Sequence, residues 1–203
     1  MRPTLLSLPL TLASCANTIH GEVNGENAGG ARDAVFQTTA LEIPFVGTVT
    51  GLALVITGAS SACETLDALQ DLPTDCNDYC AEVEEIADDS LPGSDLWTLM
   101  VWAGTDDEIV GTYPHADQSD FDGFGATIEH DDVSALHDLD ACMELCEADE
   151  EIPSDNEDST GGELVITEYT SGEELVGEYH IAFGTDELTG HFSATWCEMI
   201  EGL

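Results

Sequence analysis

The stretch Glu163-Leu164-Val165-Ile166-Thr167-Glu168-Tyr169 begins the part of the chain with the strongest β signal. Apolar and polar residues alternate along it, along 175–183 and along 188–197, and turn residues separate the three segments. Alternation with a period of two places successive side chains on opposite faces of a sheet. We therefore expect an antiparallel meander with one core face and one wet face. The predicted core face of the last hairpin carries Tyr179, Ile181, Phe183, Leu188, Phe192, Ala194 and Trp196.

Earlier segments add strands to this meander. The predicted strands are 34–39, 51–57, 96–103, 109–113 and 123–129. The continuous apolar run from Gly51 to Thr57 indicates burial on both faces, and the turn residues 104–107 predict that the strands on either side of them form a hairpin.

Two regions change to helical spacing. Apolar residues recur every three or four positions between Ser61 and Asp89, interrupted by Pro73, which predicts two short helices. A similar stripe from Val133 to Cys146 predicts a third, and the polar segment 149–162 is predicted to be a mobile loop. The expected fold is mainly β, an antiparallel β-sandwich or open barrel with short disulfide-stapled helical insertions.

The charge of the chain is extreme. It has 43 Asp and Glu against Arg2 and Arg32, with no lysine, for a net charge of −41. A polyanion repels nucleic acid and anionic lipid and has no basic side chains to release their counterions, which excludes both as partners. Salt screens self-repulsion, so the composition indicates adaptation to saline surroundings. Hydrophobic residues make up 42% of the chain, which argues against a disordered acidic tail.

The start of the chain has the pattern of an export signal. One basic residue precedes a short apolar run and then Leu12-Ala13-Ser14-Cys15. Leucine followed by two small residues and a cysteine resembles the lipobox of bacterial lipoproteins. The resemblance implies cleavage before Cys15, a diacylglycerol on its thiol and a third acyl chain on the new amino group. Two or three acyl chains anchor a protein stably.

These features divide the chain into a signal peptide (1–14), a lipidated Cys15 with a flexible tether (15–30) and one β-rich domain (31–203). The tether is predicted from the Asn, Gly and Glu content of residues 16–30. A buried N-terminal strand is the alternative for the first segment. Ala16 rather than aspartate follows Cys15, which by resemblance to the enterobacterial sorting pattern favours the outer membrane, on its periplasmic or surface side.

Six further cysteines occur at positions 63, 76, 80, 142, 146 and 197. An even number in an exported chain predicts three disulfides, with fifteen possible pairings that the sequence does not distinguish. The two C-x3-C motifs resemble twin C-x3-C helical hairpins. That resemblance implies bridges 76–146 and 80–142 and leaves 63 with 197. A bridge within each C-x3-C remains the alternative.

Three clusters could hold a metal. Gln118, Asp120, Asp122, Gly123 and Glu129 overlay part of an EF-hand loop, although Gln118 replaces the first aspartate and a strand-like segment precedes it. A solvated acidic loop is the alternative there. His130, His137, Cys142 and Cys146 have the ligand types of zinc, but thiolates would have to escape oxidation. His180 and His191 oppose each other if the last hairpin turns between Thr185 and Asp186, and two imidazoles could then hold one metal. An exposed polar pair is the alternative there.

The sequence offers little for catalysis. It lacks G-x-S-x-G, H-E-x-x-H and a phosphate-binding glycine loop, and its many acids prevent the selection of a catalytic pair. The whole pattern looks like uncharacterised acidic surface lipoproteins of Gram-negative bacteria. Our leading hypothesis is a lipid-anchored, non-catalytic lipoprotein without a cofactor that serves as a structural module or binds an extracytoplasmic partner. The alternative is a calcium-binding exported protein, and the third choice is an extracellular hydrolase.

Overall fold

A computed structural model describes residues 17–198, apart from 44–46, 71, 106–107 and 117–122. The predicted signal peptide, Cys15 and the predicted calcium ligands Gln118, Asp120 and Asp122 lie outside the described residues. The strands are β1 His20–Val23, β2 Glu26–Ala28, β3 Asp33–Ile43, β4 Gly47–Thr57, β5 Asp95–Thr105, β6 Gly111–Pro114, β7 Gly123–Asp132, β8 Ser154–Asp158, β9 Gly161–Thr170, β10 Glu174–Phe183 and β11 Asp186–Trp196. The helices are α1 Ala62–Gln70, α2 Cys76–Ser90 and α3 Leu139–Ala148, with a 3-10 turn at Ser134–His137.

The strands form one curled sheet in the order β6-β9-β10-β11-β3-β4-β5-β7-β8, with the β1–β2 hairpin attached to β11. All neighbours are antiparallel except β11 and β3, which run parallel. The sheet curls into a half-barrel, and a bridge between His115 and Phe124 links the end of β6 to the start of β7. The mainly β fold of the open-barrel type is confirmed, with one curled sheet instead of two sandwich layers.

The concave face of the sheet holds the main core. Its largest fully buried side chains are Phe36, Phe124, Phe183, Phe192, Leu54, Ile56, Leu99, Ile128, Leu164, Ile166, Leu175 and Ile181. A second cluster of Val35, Val55, Ala62 and Cys197 lies on the convex face beneath α1. Burial of β4 on both faces, which its continuous apolar run predicted, is therefore confirmed. The C-terminal meander is confirmed as well, but Trp196 is exposed because β11 ends at this residue.

Three disulfides join Cys63 to Cys197, Cys76 to Cys146 and Cys80 to Cys142. The Cys76–Cys146 and Cys80–Cys142 bridges link α2 to α3. The Cys63–Cys197 bridge links the start of α1 to the residue that follows β11. The pairing is the one that the twin C-x3-C resemblance implied, and a bridge within each C-x3-C is excluded. Among the described residues, no helix is both long enough and apolar enough to cross a bilayer.

The predicted flexible tether is wrong for residues 17–30. β1 and β2 form a hairpin around Asn24 and Gly25, whose φ angles of 55° and 80° suit a tight hairpin turn, and β1 pairs with β11. Ile19, Val23 and Ala28 are buried in the main core. Three apolar residues among many polar ones were enough to dock the hairpin, although they were too few to show a periodic pattern.

Two other local predictions are wrong. β5 and β6 do not pair with each other, because β5 lies between β4 and β7 while β6 pairs with β9. The predicted mobile loop 149–162 contains β8, which pairs with β7 at the edge of the sheet. β8 has no apolar face. Its exposed side chains form hydrogen bonds with β7 instead, including one that Thr127 Oγ1 donates to Asp158 Oδ1 at 2.7 Å.

Candidate functional site

An open cavity of about 150 Å³ lies at the end of the half-barrel where β5 begins and β7 ends. We call it the mouth pocket. Its lining residues are Val23, Asn24, Glu26, Trp97, Ile128, His130, Asp155, Asn156 and Glu157. They come from β1, β2, β5, β7, β8 and the β1–β2 turn, so the pocket exists only because the hairpin and the edge strand close over the end of the sheet. A backbone hydrogen bond from Asn24 N–H to Asp186 Oδ2, 2.9 Å, fixes that turn against β11.

A stacked pair of rings forms one wall of the mouth pocket. Trp97 and His130 are opposite each other on β5 and β7, on the concave face. Their ring centroids are 4.2 Å apart and their planes differ by 8°. The stack fixes the plane of the imidazole, so the directions of its two nitrogens are set by the sheet.

Both nitrogens of His130 face carboxylates. Nδ1 lies 3.1 Å from Glu26 Oε2 and Nε2 lies 3.2 Å from Asp95 Oδ1. The neutral imidazole carries one N–H and can donate to one of these carboxylates at a time, whereas the protonated ring can donate to both. The pKa of Asp95 is lowered, first by the hydrogen bond from Ser94 Oγ at 2.6 Å and then by His130. Both nitrogens of His130 are therefore in contact with carboxylates in this structure.

The neighbouring strand β8 carries a carboxylate that has spare bonding capacity. Glu157 faces Ile128 in the β7–β8 register, and its Oε2 is buried with no hydrogen-bond partner among the described residues. Asp155 is also on β8 and is paired with His130 of β7. A buried carboxylate oxygen without a donor is costly, because desolvation is not compensated. The mouth pocket therefore favours a group that brings positive charge or N–H donors.

A second cavity, of about 240 Å³, lies on the wet face of the meander and is lined by Glu163, Val165, Glu178, Tyr179, His180, Thr189 and Gly190. The Tyr179 hydroxyl donates to the carbonyl oxygen of Thr18 at 2.7 Å, and burial raises the pKa of Tyr179. His180 is 49% exposed and contacts Glu187 at 3.3 Å. Tyr179 and His180 thus have partners outside the cavity lining, whereas the mouth pocket contains a buried carboxylate oxygen without one among the described residues, so we favour the mouth pocket as the candidate site.

The calcium prediction is only partly covered by the structure. Glu129 lies within β7, where its Oε1 accepts a hydrogen bond from Ser154 Oγ at 2.9 Å. The other proposed ligands, Gln118, Asp120 and Asp122, lie outside the described residues. Within the described part of the chain, no three His, Cys, Asp or Glu side chains are grouped as a metal would need.

The structure removes the thiolates from the zinc hypothesis and gives the histidine pair a different register from the predicted one. Cys142 and Cys146 are in disulfides and have no thiolate to offer, while His137 contacts Asp88 at 3.1 Å and the Pro92 carbonyl oxygen at 2.9 Å. His180 is opposite Thr189 and His191 is opposite Glu178, because the last hairpin turns at residues 184–185, one residue earlier than predicted.

Most of the mouth pocket had no signal in the sequence. His130 was singled out, but as a zinc ligand, and Trp97, Glu26, Asp155 and Glu157 were not. To predict the pocket, one would have to know that β5 pairs with β7, and that β6 pairs with β9 instead of lying between them. Comparisons with protein-family models, with curated proteins and with solved structures find no match to this chain. The pocket is therefore interpreted from its own geometry.

Proposed function

We propose that this protein is an exported lipoprotein held by acyl chains on Cys15, in the outer membrane of a Gram-negative envelope on its periplasmic or surface side. The observation that carries the proposal is the lipobox Leu12-Ala13-Ser14-Cys15. Three disulfides support it, because they form and persist in an oxidising compartment outside the cytoplasm. The extreme acidity suits a domain that is exposed to salt water.

Its β domain acts as a non-catalytic binding module, and the mouth pocket takes a cationic group of an extracytoplasmic partner, such as a guanidinium or ammonium. The unpaired Glu157 Oε2 supports a cation, and Asn24 and Asn156 add amide groups at the rim. A fork of N–H donors matches a carboxylate well.

Replacing Cys15 by alanine tests the anchor. We expect Cys15→Ala to move the protein from the membrane fraction to the soluble fraction and to abolish labelling by radioactive palmitate. Ser14→Gly keeps a small residue in the lipobox and is the matched control that should stay membrane-bound. Retention of Cys15→Ala in the membrane fraction would contradict the proposal.

Binding of N-acetylarginine amide tests the mouth pocket. We expect calorimetry to detect binding by the wild type and a loss of at least tenfold in affinity for Glu157→Gln, because the charged acceptor is removed. Glu163→Gln on the wet face is the matched control and should bind as the wild type does. Equal affinities for the two variants would assign the binding to the overall negative charge.

The same unpaired oxygen supports a second candidate, the binding of a divalent cation such as calcium. In that case calcium would raise the melting temperature beyond the effect of sodium chloride at matched ionic strength, because specific binding stabilises by mass action. Identical melting curves at matched ionic strength would reject this candidate.

A further inference from the structure

β8 is paired along one of its edges only. On either side of β8, backbone hydrogen bonds join Pro153 to Asp132 and Ser159 to Ala126 of β7, at 3.0 and 2.8 Å. Hydrogen-bonded pairs recur at every second residue of an antiparallel ladder, so the odd-numbered residues of β8 direct their N–H and C=O groups to β7. The even-numbered residues direct theirs to the other edge, where no strand pairs with β8 within the described residues. We call this edge, formed by Ser154, Asn156 and Asp158, the β8 free edge.

β10 occupies the same edge of the chain at β9 but ends before it reaches β8. β6 and β7 lie along the opposite edge, since His115 after β6 forms a bridge with Phe124 of β7. The contacts of β10 with this edge end where Thr160 N–H donates to the Ala182 carbonyl oxygen at 2.8 Å and Gly184 N–H donates to Thr160 Oγ1 at 3.0 Å. The chain then turns into β11. The β8 free edge therefore continues the β9–β10 ladder, and no described strand takes the place of β10 there.

The register shows where the side chains of an added strand would lie. Glu157 is paired with Ile128, which is buried in the main core, and Asp155 is paired with His130, which stacks on Trp97. Both acidic residues of β8 thus lie on the concave side and line the mouth pocket. Residues of an added strand that face Asp155 and Glu157 would share this side, because directly opposed residues point to the same face of a sheet.

Charge decides which kind of segment fits the β8 free edge. β8 has the sequence SDNED, and all its residues except the partly buried Glu157 are exposed. Acidic edges repel each other, which disfavours a second copy of the chain as the occupant. The chain has no lysine and only two arginines, Arg2 and Arg32, so a basic segment has to come from another protein. The buried Glu157 Oε2, which has no hydrogen-bond partner among the described residues, favours a guanidinium in particular.

We propose that the β8 free edge binds an extended segment of a partner protein as an added antiparallel strand, with basic side chains at two alternate positions that enter the mouth pocket opposite Asp155 and Glu157. This inference rests on the proposed binding of a cationic group in the mouth pocket and specifies the segment that carries it. The residue between the two basic ones lies opposite Asn156 and exchanges both backbone hydrogen bonds with it. In this mode of recognition the main chain contributes affinity, and the pockets for alternate side chains give specificity.

The acetylated and amidated heptapeptide TVRTRVT tests the added strand. When its central threonine lies opposite Asn156, its two arginines lie opposite Asp155 and Glu157. We expect calorimetry in about 0.15 M sodium chloride, where the Debye length is about 8 Å, to show at least tenfold tighter binding than for N-acetylarginine amide. The five central residues span about 17 Å at 3.4 Å per residue, which matches the five residues of β8.

Two control peptides keep the charge and remove one feature each. Methylation of the central backbone nitrogen removes the N–H that would donate to Asn156. The peptide TVRRTVT has the same composition, but its adjacent arginines point to opposite faces of the added strand. Each control should bind at least tenfold more weakly than TVRTRVT.

Amide exchange locates the added strand without any substitution in the protein. The N–H of Asn156 should exchange at least tenfold more slowly when TVRTRVT is bound, because it then donates to the peptide. The N–H of Asp155, which is directed to β7 already, is the internal control and should change little.

The outcomes distinguish the added strand from the proposed function of the mouth pocket. Equal binding of the three peptides without protection of Asn156 overturns the added strand. The pocket keeps its proposed function in that case if Glu157→Gln still weakens the binding of N-acetylarginine amide. Absence of binding by both TVRTRVT and N-acetylarginine amide overturns both proposals.

Discussion

Removing the Cys63–Cys197 bridge should cost more stability than removing either bridge between α2 and α3. A disulfide stabilises mainly by closing a loop in the unfolded chain, and the effect grows with the logarithm of loop length. Cys76–Cys146 lies inside the Cys63–Cys197 loop and shortens it. The remaining circuit runs from 63 to 76 and from 146 to 197, about 66 residues, for which the loop-entropy relation gives about 4.3 kcal/mol.

The two bridges between α2 and α3 close a much smaller circuit. When one of these bridges is present, the other closes only the loop formed by residues 76–80 and 142–146, about ten residues. Closing this loop stabilises the fold by about 2.7 kcal/mol. We therefore expect Cys63→Ala/Cys197→Ala to lose about 1.6 kcal/mol more than Cys80→Ala/Cys142→Ala. Cys76→Ala/Cys146→Ala opens the same small circuit, so it should lose as much free energy of unfolding as Cys80→Ala/Cys142→Ala does. This comparison is the internal control.

Urea unfolding in 1 M sodium chloride without reductant, followed by tryptophan fluorescence, gives the three free energies of unfolding. Cys80, Cys142 and Cys197 are all at most 3% exposed, so the variants in both comparisons also lose buried sulfur atoms. Equal losses for the long-loop and short-loop variants would refute loop closure as the source of the stabilisation. So would a difference of more than about 1 kcal/mol between the two short-loop variants, because their circuit is the same.

Three further predictions concern packing, pH and salt. A Cβ at Gly177 would clash with the Val165 carbonyl oxygen, so Gly177→Ala should lower the free energy of unfolding by at least about 2 kcal/mol in urea titrations. Gly29→Ala, with open space around it, should change the free energy of unfolding by less than about 0.5 kcal/mol. The pKa of His137 is raised above 6.5, chiefly by its hydrogen bond with Asp88. The His137–Asp88 pair therefore stabilises the fold below pH 6.5, and this stabilisation is lost as pH rises through the folded-state pKa of His137. The urea midpoint should fall more between pH 6 and 8.5 in the wild type than in Asp88→Asn. The melting temperature should rise steadily from 0.1 to 1 M sodium chloride, since the Debye length falls from about 10 to 3 Å, and no change would contradict a stability limited by self-repulsion.

The sequence predicted those elements whose apolar residues face a core. The meander, the two-sided burial of β4 and the helices around Pro73 all have a periodic pattern, because their burial is set by neighbours close in sequence. β8 escaped prediction because an edge strand that is held by polar side chains has no such pattern. The β1–β2 hairpin did have a signal in Asn24-Gly25, but the surrounding glycines and asparagines favoured a linker.

The mouth pocket could not be assembled from the sequence. Trp97 and His130 meet because β5 pairs with β7, and this pairing requires β6 to cross to β9. Glu26 reaches the ring because the β1–β2 hairpin docks at the same end of the half-barrel. Local alternation identifies the face of a strand on which a residue lies, but it contains no information about which strand is adjacent.

Because lysine is absent and arginine is scarce, histidine is the usual partner of carboxylates in this fold. Each of the four ion pairs found within the described residues has a histidine partner, at His130, which makes two, and at His137 and His180. Their carboxylate partners are all more than 60% exposed, and exposed pairs contribute about 0–1 kcal/mol each. Ion pairs therefore cannot offset the self-repulsion of a chain with charge −41. Loop closure at about 3–4 kcal/mol per disulfide is the larger effect, and its entropic part does not depend on pH or salt. The three bridges thus contribute more to stability than the histidine pairs, which mainly determine local geometry, as His130 does against Trp97.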